Sequence, residues 1–125
     1  ALAKGSYECF VKKETTLPMM YMDDAIRGTI KLMDAPEKKI TVRTSYNMAA
    51  ISFRADELAK EINKHLPVKV TYKPDHRQKI ADSWPKSIND SQARKDWGWK
   101  HEFDLKKMVK VMLTELTNIR THETH

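Results

Sequence analysis

Glycine is scarce in this chain of 125 residues, which contains only three. Nucleotide-binding loops of the G-x-G-x-x-G and G-x-x-x-x-G-K-[ST] types need closely spaced glycines, because the backbone must approach the phosphates of the ligand. Neither motif occurs in the sequence. The chain therefore carries no recognisable phosphate-binding loop of its own.

Several catalytic and metal-binding patterns are also missing. Each of the four tyrosines is followed, four residues later, by a residue other than lysine, so no Tyr-x-x-x-Lys acid–base pair is present. The five histidines are scattered, and no H-E-x-x-H or C-x-x-C motif occurs. Cys9 is the only cysteine, which excludes an internal disulfide and fits a reducing compartment. We therefore expect neither a catalytic residue nor a metal ligand here.

Long apolar runs are absent as well. No stretch approaches the roughly 18 apolar residues that cross a bilayer, and nothing resembles a secretory signal. The net charge is +6, from 23 Lys and Arg against 17 Asp and Glu, but the basic residues are spread among acids. A solvated surface explains this charge, and we expect no membrane or nucleic-acid partner. A small basic nucleic-acid-binding module remains an alternative of a different class.

The first residues resemble the end of a helix. Residues 1–4 contain no Met, and Gly5 follows them in the position where glycine commonly terminates a helix. This opening indicates a piece of a longer protein.

The periodicity of apolar residues predicts short strands interleaved with helices. The predicted strands cover residues 7–11, 17–22, 40–48 and 68–72, and the predicted helices cover 23–33, 54–65, 76–81, 91–97 and 105–118. Asp104 is expected to cap the last helix, and Gly98 to end the one before it. The chain by itself is therefore predicted to be α+β, with a frayed tail over residues 119–125.

Two blocks of sequence stand out. The first is LPMMYMDDAI at residues 17–26, a strand leading into a helix whose first turn carries Asp23 and Asp24. These acids are expected to cap the helix, because carboxylates favour helix N-termini. The second block comprises IADSWP at residues 80–85 and DSQARKDWGW at 90–99. Its Trp84 precedes a proline at a predicted helix end, where a large ring can project into a cleft.

These blocks, with Tyr46-Asn47 between them, resemble the C-terminal part of the extended short-chain dehydrogenases. Their amino-acid sequences are similar to those of the L-threonine 3-dehydrogenases of that superfamily, and the similarity extends from about residue 1 to about residue 116. The resemblance implies an α/β protein in which residues 1–118 form a C-terminal substrate-binding lobe. Nucleotide-sugar epimerases and dehydratases of the same superfamily are the nearest alternative.

The resemblance also implies a small substrate. Epimerases place arginines that hold a substrate diphosphate at positions that align here with Leu17 and Trp84, and neither residue can pair with phosphate. The residues expected nearest the substrate cleft are Met20, Tyr21, Ser83 and Trp84.

The implied activity is NAD-dependent oxidation of L-threonine at C3 to 2-amino-3-oxobutyrate, a step in threonine catabolism to glycine. The resemblance places NAD in a Rossmann domain that precedes this segment, together with the catalytic residues. This segment would then cap the substrate pocket and be inactive alone. A homodimer is expected for the full-length enzyme, in the bacterial cytoplasm or the mitochondrial matrix.

Overall fold

The computed structural model describes residues 5–123, which combine helices with short strands. In chain order the elements are β1 (Ser6–Cys9), β2 (Thr16–Met19), α1 (Met22–Asp34), a 3-10 turn (Glu37–Lys39), β3 (Ile51–Arg54), α2 (Ala55–Asn63), β4 (Lys69–Tyr72), α3 (Arg77–Ser83), α4 (Ser91–Trp97) and α5 (Leu105–Glu123). The predicted fold class is confirmed. The helix end predicted at residues 1–4 lies outside the described residues, although Gly5 has a left-handed φ of 65°.

The strands pair into two small sheets within the described part of the chain. β1 and β4 run parallel, with Ser6 opposite Lys69 and Cys9 opposite Tyr72. β2 and β3 run antiparallel, with Leu17 opposite the buried Phe53. Because each sheet has two strands, every strand is an edge strand, and this is where a proline such as Pro18 in β2 is tolerated.

The strand predicted over residues 40–48 is wrong. The Tyr46 hydroxyl accepts hydrogen bonds from the backbone N–H groups of Thr41, at 2.9 Å, and Val42, at 3.2 Å, so the segment folds back on itself. No strand in the described part of the chain lies beside it to form a ladder. Alternating side chains predict a strand only where a neighbouring strand exists to pair with it. The strand forms at Ile51–Arg54 instead, against β2.

Helix α1 spans nearly the predicted residues, but it buries a different face from the apolar one. Asp24 and Gly28 are its buried residues. Ile26 and Ile30 are each 53% exposed, and Met33 is 77% exposed, although all three belong to the predicted apolar face. The apolar stripe therefore has no partner within residues 5–123.

The buried core gathers around two tryptophans. Ala93, Trp97 and Trp99 are buried together, and partly buried residues before, within and after α1 pack against them: Met20, Leu32, Ala35, Ile40, Tyr46 and Met48. The Trp99 indole donates a hydrogen bond to the Ala49 carbonyl at 2.8 Å. Gly98 separates the two rings with a φ of 68°, which confirms its predicted place at the end of α4.

The last helix, α5, is longer than predicted. The Asp104 carboxylate accepts a hydrogen bond from the Lys107 N–H at 2.8 Å, as expected of a cap. The helix continues past the predicted end at Asn118 to Glu123, so residues 119–123 are helical rather than frayed. No glycine or proline interrupts this stretch. Among residues 5–123, no helix combines the length and apolar character needed to cross a membrane.

Candidate functional site

Two of the predicted site residues, Met20 and Tyr21, lie where β2 passes into α1. Both line an apolar cavity of about 500 Å³ bordered by residues of β2, α2 and α5. The Tyr21 ring packs on Phe103, with 4.5 Å between the centroids. Lys107 places its Nζ 4.5 Å from the centroid of the same Phe103 ring. The structure thus brings Met20 and Tyr21 together on the wall of one cavity.

The other two predicted residues, Ser83 and Trp84, lie at the end of α3. The Ser83 hydroxyl donates a hydrogen bond to the Ile80 carbonyl at 2.6 Å, and therefore turns back onto its own helix. Trp84 follows as the C-terminal cap residue, and its side chain is 55% exposed. Its ring borders a second, smaller cavity of about 180 Å³, which Ser83 does not line.

The four predicted residues therefore do not share one cavity. Met20 and Tyr21 border the apolar one, and Trp84 borders the smaller, charged one. That all four lie nearest one substrate cleft stays a prediction.

Asp24 has a role that the sequence interpretation missed. The N-cap of α1 is Tyr21, which makes no side-chain capping bond. Asp24 instead accepts hydrogen bonds from the backbone N–H groups of Glu102, at 3.0 Å, and Phe103, at 3.0 Å. The carboxylate is fully buried and also pairs with Arg27 at 2.8 Å. Asp24 thus ties the segment before α5 to the start of α1, and this holds Phe103 against Tyr21. Only the unusual Asp-Asp pair signalled it in the sequence.

The electrostatics of Asp24 follow from these contacts. Burial raises the pKa of this carboxyl, but the Arg27 guanidinium and the two backbone N–H groups favour the charged form and together lower the pKa below its ordinary value. Asp24 is therefore ionised at neutral pH. It is a buried charge with all its partners present, which is the condition under which such a charge is tolerated.

A second carboxylate network fixes the loop after α1. Asp96 accepts hydrogen bonds from the hydroxyls of Thr41 and Tyr46, the latter at 2.8 Å, and from the Gln92 amide at 2.8 Å. These side-chain hydrogen bonds, with that of Thr41 the strongest, lower the pKa of Asp96 to about 2. The network joins α4 to residues 41–46 and shapes the scaffold rather than a reactive centre.

The metal-ligating residue types and the glycines within residues 5–123 lie apart from one another. No group of three or more His, Cys, Asp or Glu side chains among residues 5–123 is placed to hold a metal ion. Gly28 lies inside α1 against Trp99, and Gly98 ends α4, so neither belongs to a phosphate-binding loop at a helix N-terminus. Of the cavities in this part of the chain, the two just described are those that the predicted site residues border.

Known proteins match this chain closely over part of their length. A mitochondrial L-threonine 3-dehydrogenase of Bos taurus is 53% identical over 115 residues, which are 90% of this chain and 31% of that protein. An uncharacterized epimerase/dehydratase of Staphylococcus haemolyticus is 45% identical over 115 residues, 90% of this chain and 36% of its own length. No protein-family model matches the chain.

A solved structure agrees with these sequence matches. A monomeric L-threonine 3-dehydrogenase from a metagenome superposes with a TM-score of 0.88 at 54% identity, over 93% of this chain and 38% of that one. The chain thus spans about a third of the length of the curated relatives it matches. Sequence and fold thus agree that this chain is similar, along nearly its whole length, to about one third of the L-threonine 3-dehydrogenases and of the related epimerase/dehydratases.

Proposed function

We propose that this chain is the substrate-side part of an NAD-dependent L-threonine 3-dehydrogenase, which oxidises C3 of L-threonine to give 2-amino-3-oxobutyrate on the route to glycine. The observation that carries the proposal is the identity of 53% and 54% with proteins named for this activity. The chain would close over the amino acid while the remaining two thirds of the enzyme carry out the chemistry.

The cofactor belongs outside this chain in the proposal. NAD would supply the hydride acceptor, and its pyrophosphate needs backbone N–H groups at a glycine-rich turn. The residues described here do not fit that need, because the interior Gly28 packs against Trp99 and Gly98 ends a helix. The isolated chain is accordingly expected to bind no NAD and to have no activity.

The positions of Leu17 and Trp84 favour threonine over a nucleotide sugar. Leu17 is half-buried in β2 opposite Phe53, and Trp84 stands half exposed at the end of α3. Neither side chain can form the bidentate hydrogen bonds that arginine offers to a diphosphate. The epimerase/dehydratase names of some relatives keep nucleotide-sugar chemistry as the second candidate.

The unpartnered apolar surface supports the proposal that more protein covers this chain. Met22, Ile26, Ile30 and Met33 lie along one side of α1, and each is more than half exposed. A contiguous apolar stripe of this kind usually marks an interface. In the proposal, the remainder of the same polypeptide packs against it.

The test uses the full-length polypeptide that contains this chain. With NAD and L-threonine, formation of NADH should raise the absorbance at the nicotinamide wavelength, whereas a UDP-sugar should give neither epimerisation nor reduction. The 125-residue chain, assayed alone, is the matched control and should form no NADH. Turnover of the sugar nucleotide with no response to threonine would reject the proposal in favour of the second candidate.

The assembly and compartment belong to the proposal as well. We expect a homodimer, in the bacterial cytoplasm or the mitochondrial matrix, and one relative is named as mitochondrial. A relative of known structure is named as monomeric, so a monomer is the competing outcome. Light scattering on the full-length protein decides between them.

A further inference from the structure

We propose that Gln78 is a positioning residue, which sets the place of the Trp84 ring through helix α3. The inference rests on the proposed function, because Trp84 is one of the residues expected nearest the threonine substrate. Gln78 lies six residues before Trp84 in the sequence and is 8% exposed. Its amide is engaged in contacts within the protein, so its effect on the substrate passes through another residue.

Helix α3 buries little apolar surface that could hold it in place. It is seven residues long, and helices shorter than about 12 residues are marginal on their own in water. Gln78 is its buried residue, Ala81 is partly buried, and the other five residues are exposed. Arg77 adds a contact at the start of the helix, where its guanidinium carbon lies 3.6 Å from the centroid of the Phe10 ring. The buried anchor of α3 is therefore a polar side chain.

The Gln78 amide bridges α3 to the turn that joins β1 to β2. Its carbonyl oxygen accepts a hydrogen bond from the Lys12 backbone N–H at 2.7 Å, and its nitrogen donates to Asp82 Oδ1 at 2.7 Å. The Thr15 hydroxyl lies within hydrogen-bond distance of both ends of the amide, at 3.3 and 3.2 Å. A backbone N–H can only donate and a carboxylate can only accept, so the amide fits in one orientation. Because hydrogen bonds are directional, the bridge fixes the rotation of α3 as well as its distance from the turn.

The end of α3 carries this placement to the tryptophan ring. The Trp84 N–H donates to the Ala81 carbonyl at 3.2 Å, so the backbone of Trp84 is tied to the last turn of the helix. Pro85 follows and restricts Trp84 to extended backbone, which is observed with a φ of −83° and a ψ of 150°. The ring is 55% exposed, so the backbone fixes its position more than packing does. A rotation of α3 would therefore move the ring.

Gln78→Glu in the full-length polypeptide tests the bridge, because it keeps the size of the side chain and an oxygen for the Lys12 N–H. The nitrogen that donates to Asp82 is lost, and two carboxylates then face each other. KM for L-threonine should rise about tenfold, while kcat and KM for NAD change less than about twofold, because a misplaced wall weakens substrate binding more than it alters the chemistry. Lys79→Gln, at the exposed neighbouring position, is the matched control and should change none of these constants.

Asp82→Asn provides the reciprocal change. In that background the new asparagine amide can donate to the new glutamate, which restores the bridge with donor and acceptor exchanged. Gln78→Glu should then leave KM for L-threonine close to that of the Asp82→Asn protein. A general loss of folded protein would not produce such coupling between the two positions. In the Trp84→Ala background, likewise, Gln78→Glu should raise this KM no further.

A spectroscopic measurement tests the placement of the ring without substrate. Full-length protein labelled with fluorotryptophan gives a fluorine NMR resonance for Trp84, which is assigned by its loss in Trp84→Phe. This resonance should shift in Gln78→Glu and return toward its original position when Asp82→Asn is added. The resonances of Trp97 and Trp99, which are buried in the core, should not move.

The outcomes separate this inference from the proposed function. If threonine is oxidised, an unchanged KM or a fall in kcat alone overturns the role of Gln78 and leaves the proposed function standing. A raised KM with an unmoved Trp84 resonance overturns that role too, because Gln78 then acts by another route. If threonine is not oxidised, the proposed function fails, and the Trp84 resonance alone decides whether Gln78 positions the ring.

Discussion

Gly28 of α1 lies directly against the indole ring of Trp99. A β-carbon built on Gly28 would come within 2.7 Å of Cζ3 of Trp99 and 2.6 Å of the Met48 sulfur. The Met48 side chain can move aside, but the Trp99 ring is 2% exposed and is held by its hydrogen bond to the Ala49 carbonyl. The close approach of helix and ring therefore depends on the absence of a side chain at Gly28.

Gly28→Ala should destabilise the chain, although the same change in an open helix is stabilising. The usual gain from replacing glycine in a helix interior is about 1 kcal/mol, whereas forcing extra volume into a packed site typically costs about 1 to 3 kcal/mol. Because the added β-carbon would make two contacts shorter than 3 Å, the cost of the extra volume should exceed the gain from replacing glycine. Urea unfolding of the purified chain measures the difference. Thr29→Ala, on the exposed side of the same helix, is the control and should change stability little. A more stable Gly28→Ala chain would contradict the packing described.

Asp24→Asn should lower stability by about 3 kcal/mol, because it removes a buried charge from Arg27 and presents N–H groups to backbone donors. The neighbouring Asp23→Asn is the matched control, since Asp23 is exposed. Thermal unfolding of both variants provides the comparison. Fluorescence of Tyr21 should also change in the Asp24 variant, because Phe103 loses its anchor. Equal effects of the two substitutions would show that the buried contacts of Asp24 add nothing to the stability of the fold.

The low pKa of Asp96 predicts that the loop after α1 is sensitive to acid. Its pKa of about 2 in the folded chain lies below the ordinary value of 3.8. A depressed pKa means that the ionised carboxylate stabilises the fold, and this contribution is fully present above about pH 4 and is lost as the pH falls toward 2. Unfolding curves recorded between pH 2 and 7 should therefore show a loss of stability in that window. Asp96→Asn should remove that part of the pH dependence, and an unchanged profile would argue against the network.

Trp84→Ala in the full-length polypeptide should mainly raise KM for L-threonine, with a smaller effect on KM for NAD. The ring borders the charged cavity and is 55% exposed in this chain, so its removal should not unfold the protein. Trp84→Phe keeps an aromatic ring at this position, so its KM for L-threonine should lie between those of the unsubstituted protein and of Trp84→Ala. Steady-state kinetics with varied threonine and NAD measure both constants. Unchanged kinetics would remove Trp84 from the substrate site.

Local signals in the sequence were enough to predict where many of the helices begin or end. Asp104 capping α5 and Gly98 ending α4 depend on residues within a few positions of each other, and both were predicted correctly. The failure at residues 40–48 has a different cause, because a strand needs a partner that the local sequence does not specify. The extra turn of α5 was missed because the end of a helix without a breaker has no sharp signal.

The candidate site was harder to predict for the same reason. Asp24 was interpreted as a cap, yet its hydrogen-bond partners are Glu102 and Phe103, which lie 78 and 79 residues away in sequence. Gln78 of α3, which borders the smaller cavity, likewise accepts a hydrogen bond from the backbone N–H of Lys12, 66 residues away in sequence. Apolar spacing shows that a helix has an apolar face but not which side the rest of the chain covers, and α1 buries Asp24 and Gly28 instead of Ile30.

The loop over residues 40–48 has a consequence for how the separate chain would behave at high concentration. Four of its nine residues are β-branched (Ile40, Thr41, Val42 and Thr44), and it pairs with no strand within the described residues. Backbone in this state can serve as a template for strands from neighbouring molecules. In copies of the chain at high concentration, pairing along this segment would first require Tyr46 and Met48 to leave the core against which they pack.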